Sequence, residues 1–496
     1  MSTVGRPSLM FVLPMTVLVL AAAPAFDPGP WLGDLDQTQR ALAEEYANLE
    51  WAVFEREADL PRLFADARSR LKTVSSDLQA RAVFDWLARR IGDGHVDFRW
   101  PEAAPKKEAP GEAGACSKLG YDASKRAAPL AAHAPGYVPL ETDASDEFPA
   151  GIITVAKKRV GVIKVGLFSP QGFPGLCEDA KKALSIAAGK PCDDGCAKRI
   201  AGWASDRLTA DLATQLRALQ SAGAQALVVD VAGNGGGSEW AEAAVRMMTP
   251  VRLKSQRVGF VRGAHWAKNL AEIEADLRAA ASGAKGSDAA FLTQLVEPVV
   301  QQRREALSPC DSAPLWRGEH PKCQWLGQGS FSSGLIASAD PAALRGKAWA
   351  KLVFSPMQFP YEEGIWRGPL MVLVDGGTAS AAEQFAAVLQ DNQAAVILGA
   401  PTLGAGCGHT NGGTPTTLRR SRGVLEMPDC VRFRADGSNE VMGIQPDILI
   451  GLRRLDGPHR SGLRFAAKLP EALERASAIA SRLGPDSSPS APAKLP

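Results

Sequence analysis

The sequence predicts an α/β protein with a partly parallel sheet. Apolar, strand-like runs alternate with segments of helical periodicity between residues 159 and 399, and this order is typical of α/β cores. A chain of 496 residues, 45% hydrophobic and 22% charged, is long and apolar enough for two or three globular domains. Its net charge of +2 gives no reason to expect nucleic acid or an acidic partner.

The first 25 residues have the pattern of a secretory signal peptide. Arg6 supplies a positive charge, residues 9–22 form an apolar run, and Ala-Pro-Ala at 23–25 fits a cleavage site. The alternative is a retained membrane anchor, but Pro14 interrupts the run, which is also short for a spanning helix. We therefore expect an exported protein, periplasmic or extracellular, with no stable membrane span after cleavage.

Residues 30–98 are predicted to form a small helical domain. The spacing of their apolar side chains predicts three helices, at 35–54, 60–71 and 77–91. Pro61 suits the first turn of the second helix. The helices of this predicted domain are followed, near its end, by the sequence Gly92-Asp-Gly-His95.

One segment has the composition of a linker, and the C-terminal segment is expected to end in a disordered tail. Residues 99–155 are rich in Pro, Ala and Gly with clustered charges, which predicts a linker or loop. Residues 456–496 are expected to contain a C-terminal helix and then a disordered tail, since the chain is rich in Ser, Pro and Ala from Pro485.

The α/β core is predicted over residues 156–455. Its expected strands are 159–168, 226–230, 369–375 and 394–399, and its expected helices are 201–222 and 379–391. Helical patterns at 264–281 and 289–307 interrupt this order. They predict an insertion at about 259–309, long enough to cover a cleft.

The cysteines favour disulfide bonds. All eight lie after the predicted cleavage site, and an even number in an exported protein suggests a disulfide framework. Proximity in sequence favours the pairs Cys310–Cys323 and Cys407–Cys430, while Cys177, Cys192 and Cys196 are clustered. Cys192-x-x-x-Cys196 is also compatible with the start of a zinc site, but no second Cys/His pair has suitable spacing.

Ser380 lies between a strand-like run and the head of a predicted helix. A hydroxyl there has unbonded backbone N–H groups and the positive end of the helix dipole beside it, which are the elements that stabilise an oxyanion. Taken alone, such a serine more often only caps the helix. A second turn, Gly235-Gly236-Gly237, follows the strand at 226–230, and its backbone can bring N–H groups close to a ligand. It is not a phosphate loop, because GxxxxGK[ST] is absent.

Four segments resemble the tail-specific, or C-terminal processing, serine protease superfamily. They are Asp230 to Gly237, GGTASAAEQFAAVLQDN from Gly376, ILGAPTLGAG from Ile397 and GIQPDI from Gly443. The resemblance covers roughly residues 160–455 and implies a ClpP/crotonase-like core with a twisted mixed sheet. It also implies that Ser380 is the nucleophile. The oxyanion hole would then consist of the Ala381 N–H and an N–H of the glycine turn, at Gly235 or Gly236.

One departure from the family pattern concerns the base. The Ser/Lys members have a lysine in Phe-Gly-Lys-Gly, whereas Ala405 takes that position in this chain. The tricorn-like branch has a histidine in Asp-Gly-His-Thr, and residues 93–96 match this motif apart from Val96. Imidazole titrates near neutrality and suits a general base for a serine hydroxyl. The resemblance thus implies His95 as the base, and His409, four residues after Ala405, is the rival candidate.

A third group is expected to orient the imidazole. The tricorn-like branch has a glutamate just before its Gly-x-x-Pro-Asp strand, and Glu440 occupies that position, with Asp436 as the nearest competitor. No PDZ-like module is evident before the core. Substrate is therefore expected to bind as an added strand beside the sheet, with little sequence selectivity.

The sequence and the resemblance together predict an exported serine endopeptidase. It would cleave protein or peptide substrates through an acyl-enzyme with a Ser380–His95–Glu440 triad, without a metal or an organic cofactor. One alternative is a catalytically inactive member that binds a ligand or peptide, because the lysine is absent and a helical insertion is present. Another is a hydrolase of non-peptide esters or amides that uses the same residues. No oligomeric state is predicted.

Overall fold

Six ranges of the chain are described in the computed structural model. They are residues 26–101, 115–187, 192–308, 310–408, 416–453 and 455–483. The predicted signal peptide, His409 and the predicted disordered tail lie outside the described residues, as do residues 102–114 of the predicted linker.

The N-terminal part contains three helices and a short strand. These are α1 (Gly29–Glu45), α2 (Leu60–Leu71), α3 (Asp77–Ile91) and β1 (Asp97–Arg99). The predicted bounds of the second and third helices are confirmed, and Asp59 and Ser76 cap their first turns through their side chains. The predicted helix over 35–54 is wrong in its bounds, because α1 ends at Glu45 and a separate π turn covers Trp51–Glu55.

A tertiary contact explains the early end of α1. Tyr46 leaves the helical conformation, and its hydroxyl donates to Asp93 Oδ2 at 2.9 Å. The Asn48 side-chain amide donates to the same oxygen at 2.8 Å. The periodicity of the sequence cannot show this interaction, because Asp93 lies beyond two further helices.

In the first half of the core, the described residues form four strands and four helices. In chain order they are α4 (Ala115–Lys118), β2 (Val138–Leu140), β3 (Ala150–Val155), β4 (Lys158–Lys164), α5 (Pro174–Ala183), α6 (Asp194–Ser221), β5 (Ala226–Asp230) and α7 (Trp240–Met247). The second half starts with β6 (Arg257–Val261), α8 (Ala264–Gly283), α9 (Gly286–Leu307), α10 (Ala313–Trp316), β7 (Leu326–Phe331), α11 (Pro341–Leu344) and α12 (Ala350–Val353).

The remaining elements complete the core. They are β8 (Leu370–Val374), α13 (Ala381–Asp391), β9 (Val396–Gly399), β10 (Thr416–Thr417), β11 (Val424–Glu426), β12 (Cys430–Phe433), β13 (Ile448–Leu449) and α14 (Pro458–Leu483). The predicted mixed α/β architecture is confirmed. The predicted strand over 226–230 has the observed bounds of β5, and α6 begins seven residues before the predicted Ala201, at Asp194.

A seven-stranded mixed sheet forms the centre of the fold, in the order β13-β9-β8-β5-β4-β3-β2. In this sheet, β13, β9, β8, β5 and β4 pair in parallel, while β4, β3 and β2 pair antiparallel. Because β5 and β8 are parallel neighbours, their carboxyl ends lie at the same edge. This pairing brings the glycine turn after β5 next to Ser380 after β8.

Helices cover both faces of this sheet. Side chains of α5, α6, α7 and α13 pack on one face, and Phe465, Leu469 and Leu473 of α14 pack on the other. The helical hairpin of α8 and α9 has its own core around Phe260 and Val353. Two smaller sheets, β1-β11-β10 and β12-β6-β7, complete the strand pairing of the described residues.

The N-terminal helices share one hydrophobic core with the C-terminal strands. Phe84 of α3 is fully buried in a cluster that includes Leu425 of β11, Val431 of β12 and Val441. The region predicted as a separate helical domain therefore packs directly against the segments that surround Glu440.

Residues 115–155 are packed structure rather than the linker that their composition predicts. Strands β2 and β3 belong to the large sheet, and Cys116 is joined to Cys177 of α5 by a disulfide. The backbone N–H groups of Leu130 and Ala131 donate to the buried Asp230 carboxylate. Composition cannot show these interactions, because each depends on a distant residue.

All eight cysteines are paired in disulfides. The pairs are Cys116–Cys177, Cys192–Cys196, Cys310–Cys323 and Cys407–Cys430. The two pairs predicted from proximity are confirmed. The zinc alternative at Cys192 and Cys196 is wrong, because these residues form a disulfide with each other. Within the described ranges, no helix combines the length and apolarity needed to cross a membrane, and no cluster of three or more His, Cys, Asp or Glu side chains is arranged to hold a metal ion.

We expect Phe84→Ala to destabilise the fold by about 3–5 kcal/mol, because it leaves a cavity in this shared core. The Phe84 ring lies 5.8 Å from that of Trp31 and 5.2 Å from that of Phe98, centroid to centroid. Leu78→Ala on the same helix is the matched control, since Leu78 is 77% exposed, and it should change stability by less than about 0.5 kcal/mol. Urea unfolding measures both values, and equal effects of the two changes would contradict the shared core.

Candidate active site

Ser380 is held in a strained turn at the start of α13. Its φ of 54° and ψ of −117° are rare for a residue with a side chain, and such strain is concentrated at functional sites. The Ser380 N–H donates to Glu383 Oε2 at 2.8 Å. Its side chain is partly exposed, although the following residues of α13 are buried.

The glycine turn lies directly against Ser380. A Cβ placed on Gly236 would lie 2.8 Å from Ser380 Cβ and 3.1 Å from the Ala381 nitrogen, so only glycine permits this approach. Gly236 also has a φ of 110°, which favours glycine. Its N–H donates to Asn234 Oδ1 at 2.8 Å. Within the described ranges, the N–H groups of Gly235 and Ala381 have no acceptor.

The buried Glu383 carboxylate joins the Ser380 turn to the loop over residues 402–405. Oε1 accepts from Thr402 Oγ1 at 2.5 Å and from Gly404 N at 2.7 Å, and Oε2 accepts from Ala405 N at 2.9 Å as well as from Ser380 N. Burial raises the pKa of Glu383, and the charge of Glu440 raises it further against the effect of these hydrogen bonds.

His95 contacts the same loop from the other side. Its Nδ1 lies 2.7 Å from the Ala405 carbonyl oxygen. A carbonyl oxygen can only accept, so in the neutral imidazole Nδ1 carries the proton and Nε2 has the lone pair. This is the tautomer that a general base for a serine hydroxyl requires. Nε2 faces Gly408, three residues after Ala405, since a Cβ on Gly408 would lie 3.4 Å from it.

Asp93 holds the backbone of the His95 loop. Oδ1 accepts from the His95 N–H at 2.9 Å, and Oδ2 accepts from Tyr46 and Asn48. Burial raises the pKa of Asp93, although these donors and His95 itself oppose the shift. The Asn48 Oδ1 atom accepts from the Asn439 side chain at 2.8 Å, which links this loop to the segment that carries Glu440.

Glu440 is buried and bonded to Arg432 of β12. The Arg432 Nε donates to both carboxylate oxygens at 3.1 Å, and Nη2 donates to Oε1 at 2.5 Å. Burial disfavours the charged guanidinium, but the Glu440 carboxylate raises the pKa of Arg432 above its ordinary value. The expected partner of the His95 Nδ1 was Glu440, whereas the structure has the Ala405 carbonyl at that atom. Asp436, the competitor, is bonded to Ser438 in an exposed turn.

The structure thus gathers most of the predicted residues. Ser380, Ala381 and the glycine turn meet at one sheet edge, and His95 reaches the loop bonded to Glu383. Sequence reasoning missed Arg432, Tyr46 and Asn48. Their roles depend on tertiary contacts, and no local motif in the sequence indicates them.

Comparison with known proteins shows that this chain is a serine peptidase by family. The sequence profile named "Peptidase family S41" matches residues 199–450, which are 252 of the 496 residues. The chain therefore belongs to peptidase family S41. A search of curated protein sequences finds no match.

Two solved structures share the fold of this chain at low sequence identity. Mature CPAF has a TM-score of 0.59 at 14% identity, with 92% of this chain and 98% of that chain covered. Mature CPAF complexed with lactacystin has the same TM-score and identity, with 92% and 99% covered. The photosystem II D1 C-terminal processing protease has a TM-score of 0.32 at 15% identity, with 88% and 97% covered. At these identities the CPAF structures show a shared fold, and the tail-specific protease resemblance is confirmed at the level of the family.

Ala405 is buried and lies close to the backbone of the His95 loop. Ala405 is 2% exposed, and a Cβ on Gly94 would already lie 3.1 Å from Ala405 Cβ. We therefore expect that Ala405→Lys does not restore peptide cleavage to the His95→Ala protein. It should also destabilise the fold by several kcal/mol, because it buries an ammonium group without a partner.

Leu403→Lys is the control for a lysine in this loop, since Leu403 is 54% exposed. It should change stability by less than about 1 kcal/mol. Thermal unfolding measures both substitutions, and release of fluorescent peptides from labelled casein measures cleavage. Cleavage by the Ala405→Lys, His95→Ala protein would show that a lysine base fits this site.

Proposed function

We propose that this protein is an exported serine endopeptidase that cleaves protein or peptide substrates through an acyl-enzyme on Ser380, with His95 as the general base. One continuous set of contacts carries the proposal. Ser380 N and Ala405 N donate to the same oxygen of Glu383, and the carbonyl of Ala405 accepts from His95. Ser380 is thus bonded directly to the buried Glu383 carboxylate, and His95 is linked to the same carboxylate through Ala405.

The chemistry follows from these positions. The Ser380 hydroxyl gives its proton to His95 Nε2 while Oγ bonds to the substrate carbonyl carbon. The oxyanion accepts hydrogen bonds from the N–H groups of Gly235 and Ala381, which have no other acceptor in the described ranges. His95 then donates its proton to the leaving amine as the peptide bond breaks. A water molecule, activated by the same imidazole, hydrolyses the acyl-enzyme.

The contributions of Gly236 and Glu440 differ from those that the resemblance implies. Gly236 supports the oxyanion hole by allowing close approach to Ser380, since its own N–H is bonded to Asn234. The Ala405 carbonyl takes the orienting role at His95 Nδ1, and the resulting imidazolium donates to it. Glu440 contributes to the site by accepting hydrogen bonds from Arg432.

Export is supported by the disulfides and by the predicted signal peptide. Four disulfides that include all eight cysteines are typical of proteins that fold in an oxidising compartment. We therefore propose a periplasmic or extracellular location.

Ser380→Ala and His95→Ala should each lower casein cleavage by about 10³-fold or more, because each removes a partner of one proton transfer. Both should also abolish labelling by a fluorophosphonate probe at position 380. Ser287→Ala and His133→Ala are matched surface controls, since both residues are exposed, and they should retain wild-type rates.

The same experiment separates the alternatives. Full cleavage by the Ser380→Ala protein would contradict the proposal. A folded wild-type protein that neither cleaves casein nor reacts with the probe would instead support an inactive, ligand-binding member of the family. Reaction with the probe without cleavage of any peptide would support a hydrolase of non-peptide esters or amides.

A further inference from the structure

Arg432 is a buried side chain that contacts both halves of the proposed active site. Its Nη2 donates to the main-chain carbonyl of Ser380 at 3.2 Å and to that of Gly406 at 2.8 Å. Its Nη1 donates to Gln384 Oε1 at 3.2 Å, and its Nε donates to Glu440. One planar group therefore bonds the nucleophile turn, helix α13 and the loop beside the base.

The Gly406 contact reaches His95 through one peptide. Ala405, whose carbonyl accepts from His95 Nδ1, directly precedes Gly406. A hydrogen bond that holds the Gly406 carbonyl restrains the adjoining peptide and so the Ala405 carbonyl. Arg432 therefore sets the position of the acceptor that keeps the imidazole in the required tautomer, while its bond to the Ser380 carbonyl supports the strained turn.

We propose that Arg432 is a positioning residue for the reaction of Ser380 with His95, and that Glu440 acts by holding Arg432 rather than by contacting the imidazole. This inference rests on the proposed function. Both Glu440 carboxylate oxygens accept from the guanidinium, whose rigid, planar set of donors matches a carboxylate and two carbonyls at once. A lysine ammonium cannot reproduce this pattern, since it lacks the planar geometry and two of the donors.

The surroundings hold this guanidinium in place. Gln384, which accepts from Arg432, donates to Glu242 Oε1 at 2.7 Å, and Glu242 is paired with the buried Arg246. The disulfide between Cys407 and Cys430 ties the residue after Gly406 to the start of β12. Arg432 is thus fixed by an ion pair on one side and by a covalent link between its two supporting segments.

Arg434 offers a matched control two residues along the chain. Its Nε donates to both oxygens of Asp391 at 2.9 and 3.1 Å, and Nη2 donates to Gln390. The side-chain exposures are similar, 9% for Arg432 and 13% for Arg434. Among the described residues, Arg434 makes no hydrogen bond to the Ser380 turn or to the loop over residues 402–408.

The test compares Arg432→Lys with Arg434→Lys by the kinetics of fluorophosphonate labelling. We expect Arg432→Lys to lower the maximal labelling rate of Ser380 by about tenfold or more, with less than a twofold change in the probe concentration that gives half the maximal rate. Arg434→Lys should leave both quantities within twofold of the wild type. Thermal unfolding of the two proteins controls for stability, because both lose a bidentate ion pair.

A second variant covers the case in which Arg432→Lys does not fold. Arg432→Gln with Glu440→Gln removes both buried charges together, so no unpaired charge remains to prevent folding. This double variant should also fold and label slowly, because one amide cannot donate to both carbonyls. If Glu440 acts through Arg432, Glu440→Gln should add little to the loss already caused by Arg432→Gln.

The outcomes separate this inference from the proposed function. Wild-type labelling kinetics in a folded Arg432 variant would overturn the inference while Ser380 remains the nucleophile. Losses that multiply on combining Arg432→Gln and Glu440→Gln would overturn the statement that Glu440 acts through Arg432. An unlabelled wild-type protein would overturn both the positioning role and the proposed function.

Discussion

The buried Glu383 carboxylate is the constraint on which the candidate active site depends. It accepts hydrogen bonds from Ser380 N, Thr402 Oγ1, Gly404 N and Ala405 N. These bonds fix the strained turn of Ser380 relative to the loop whose Ala405 carbonyl contacts His95. A buried carboxylate is costly unless its oxygens are bonded in this way. The same four donors that satisfy the charge therefore also define the geometry of the site.

The fold brings distant segments of the chain to this carboxylate. Parallel pairing of β5 with β8 places the glycine turn against Ser380. The N-terminal helices share a core with β11, β12 and Val441, and the Asp93 loop that follows them presents His95 to the Ala405 carbonyl. The helical part is thus a component of the site. In the proposed mechanism, His95 from this loop takes the role of base that the resemblance gives to a lysine in the Ser/Lys members.

Local sequence patterns predicted the elements that are determined locally. Helices α2 and α3 and strand β5 have the predicted bounds, because capping residues and apolar spacing define them. The end of α1 at Glu45 and the packing of residues 115–155 were not predictable in this way. Both depend on long-range partners, namely Asp93 for Tyr46 and Asp230 for the N–H groups of Leu130 and Ala131.

The candidate site was likewise predictable where local motifs define it and unpredictable where tertiary contacts do. Ser380 and the glycine turn were indicated by their motifs, and His95 followed from the resemblance together with Ala405. The partner of Glu440 was not indicated, because Arg432 lies on a strand without any motif of its own. A carboxylate at the expected position in the sequence does not define what it contacts. Only the tertiary hydrogen bonds of Arg432 place a guanidinium between Glu440 and the loop that contacts the imidazole.

A crystal structure of the protein phosphonylated on Ser380 is the sharpest test of the proposed site. We expect the phosphonyl oxygen to lie about 2.7–3.1 Å from the N–H groups of both Gly235 and Ala381. We also expect His95 Nδ1 to stay bonded to the Ala405 carbonyl, with Nε2 directed at the adduct. A phosphonyl oxygen that contacts neither N–H group, or a His95 ring bonded instead to Glu440, would contradict the proposed roles of these groups.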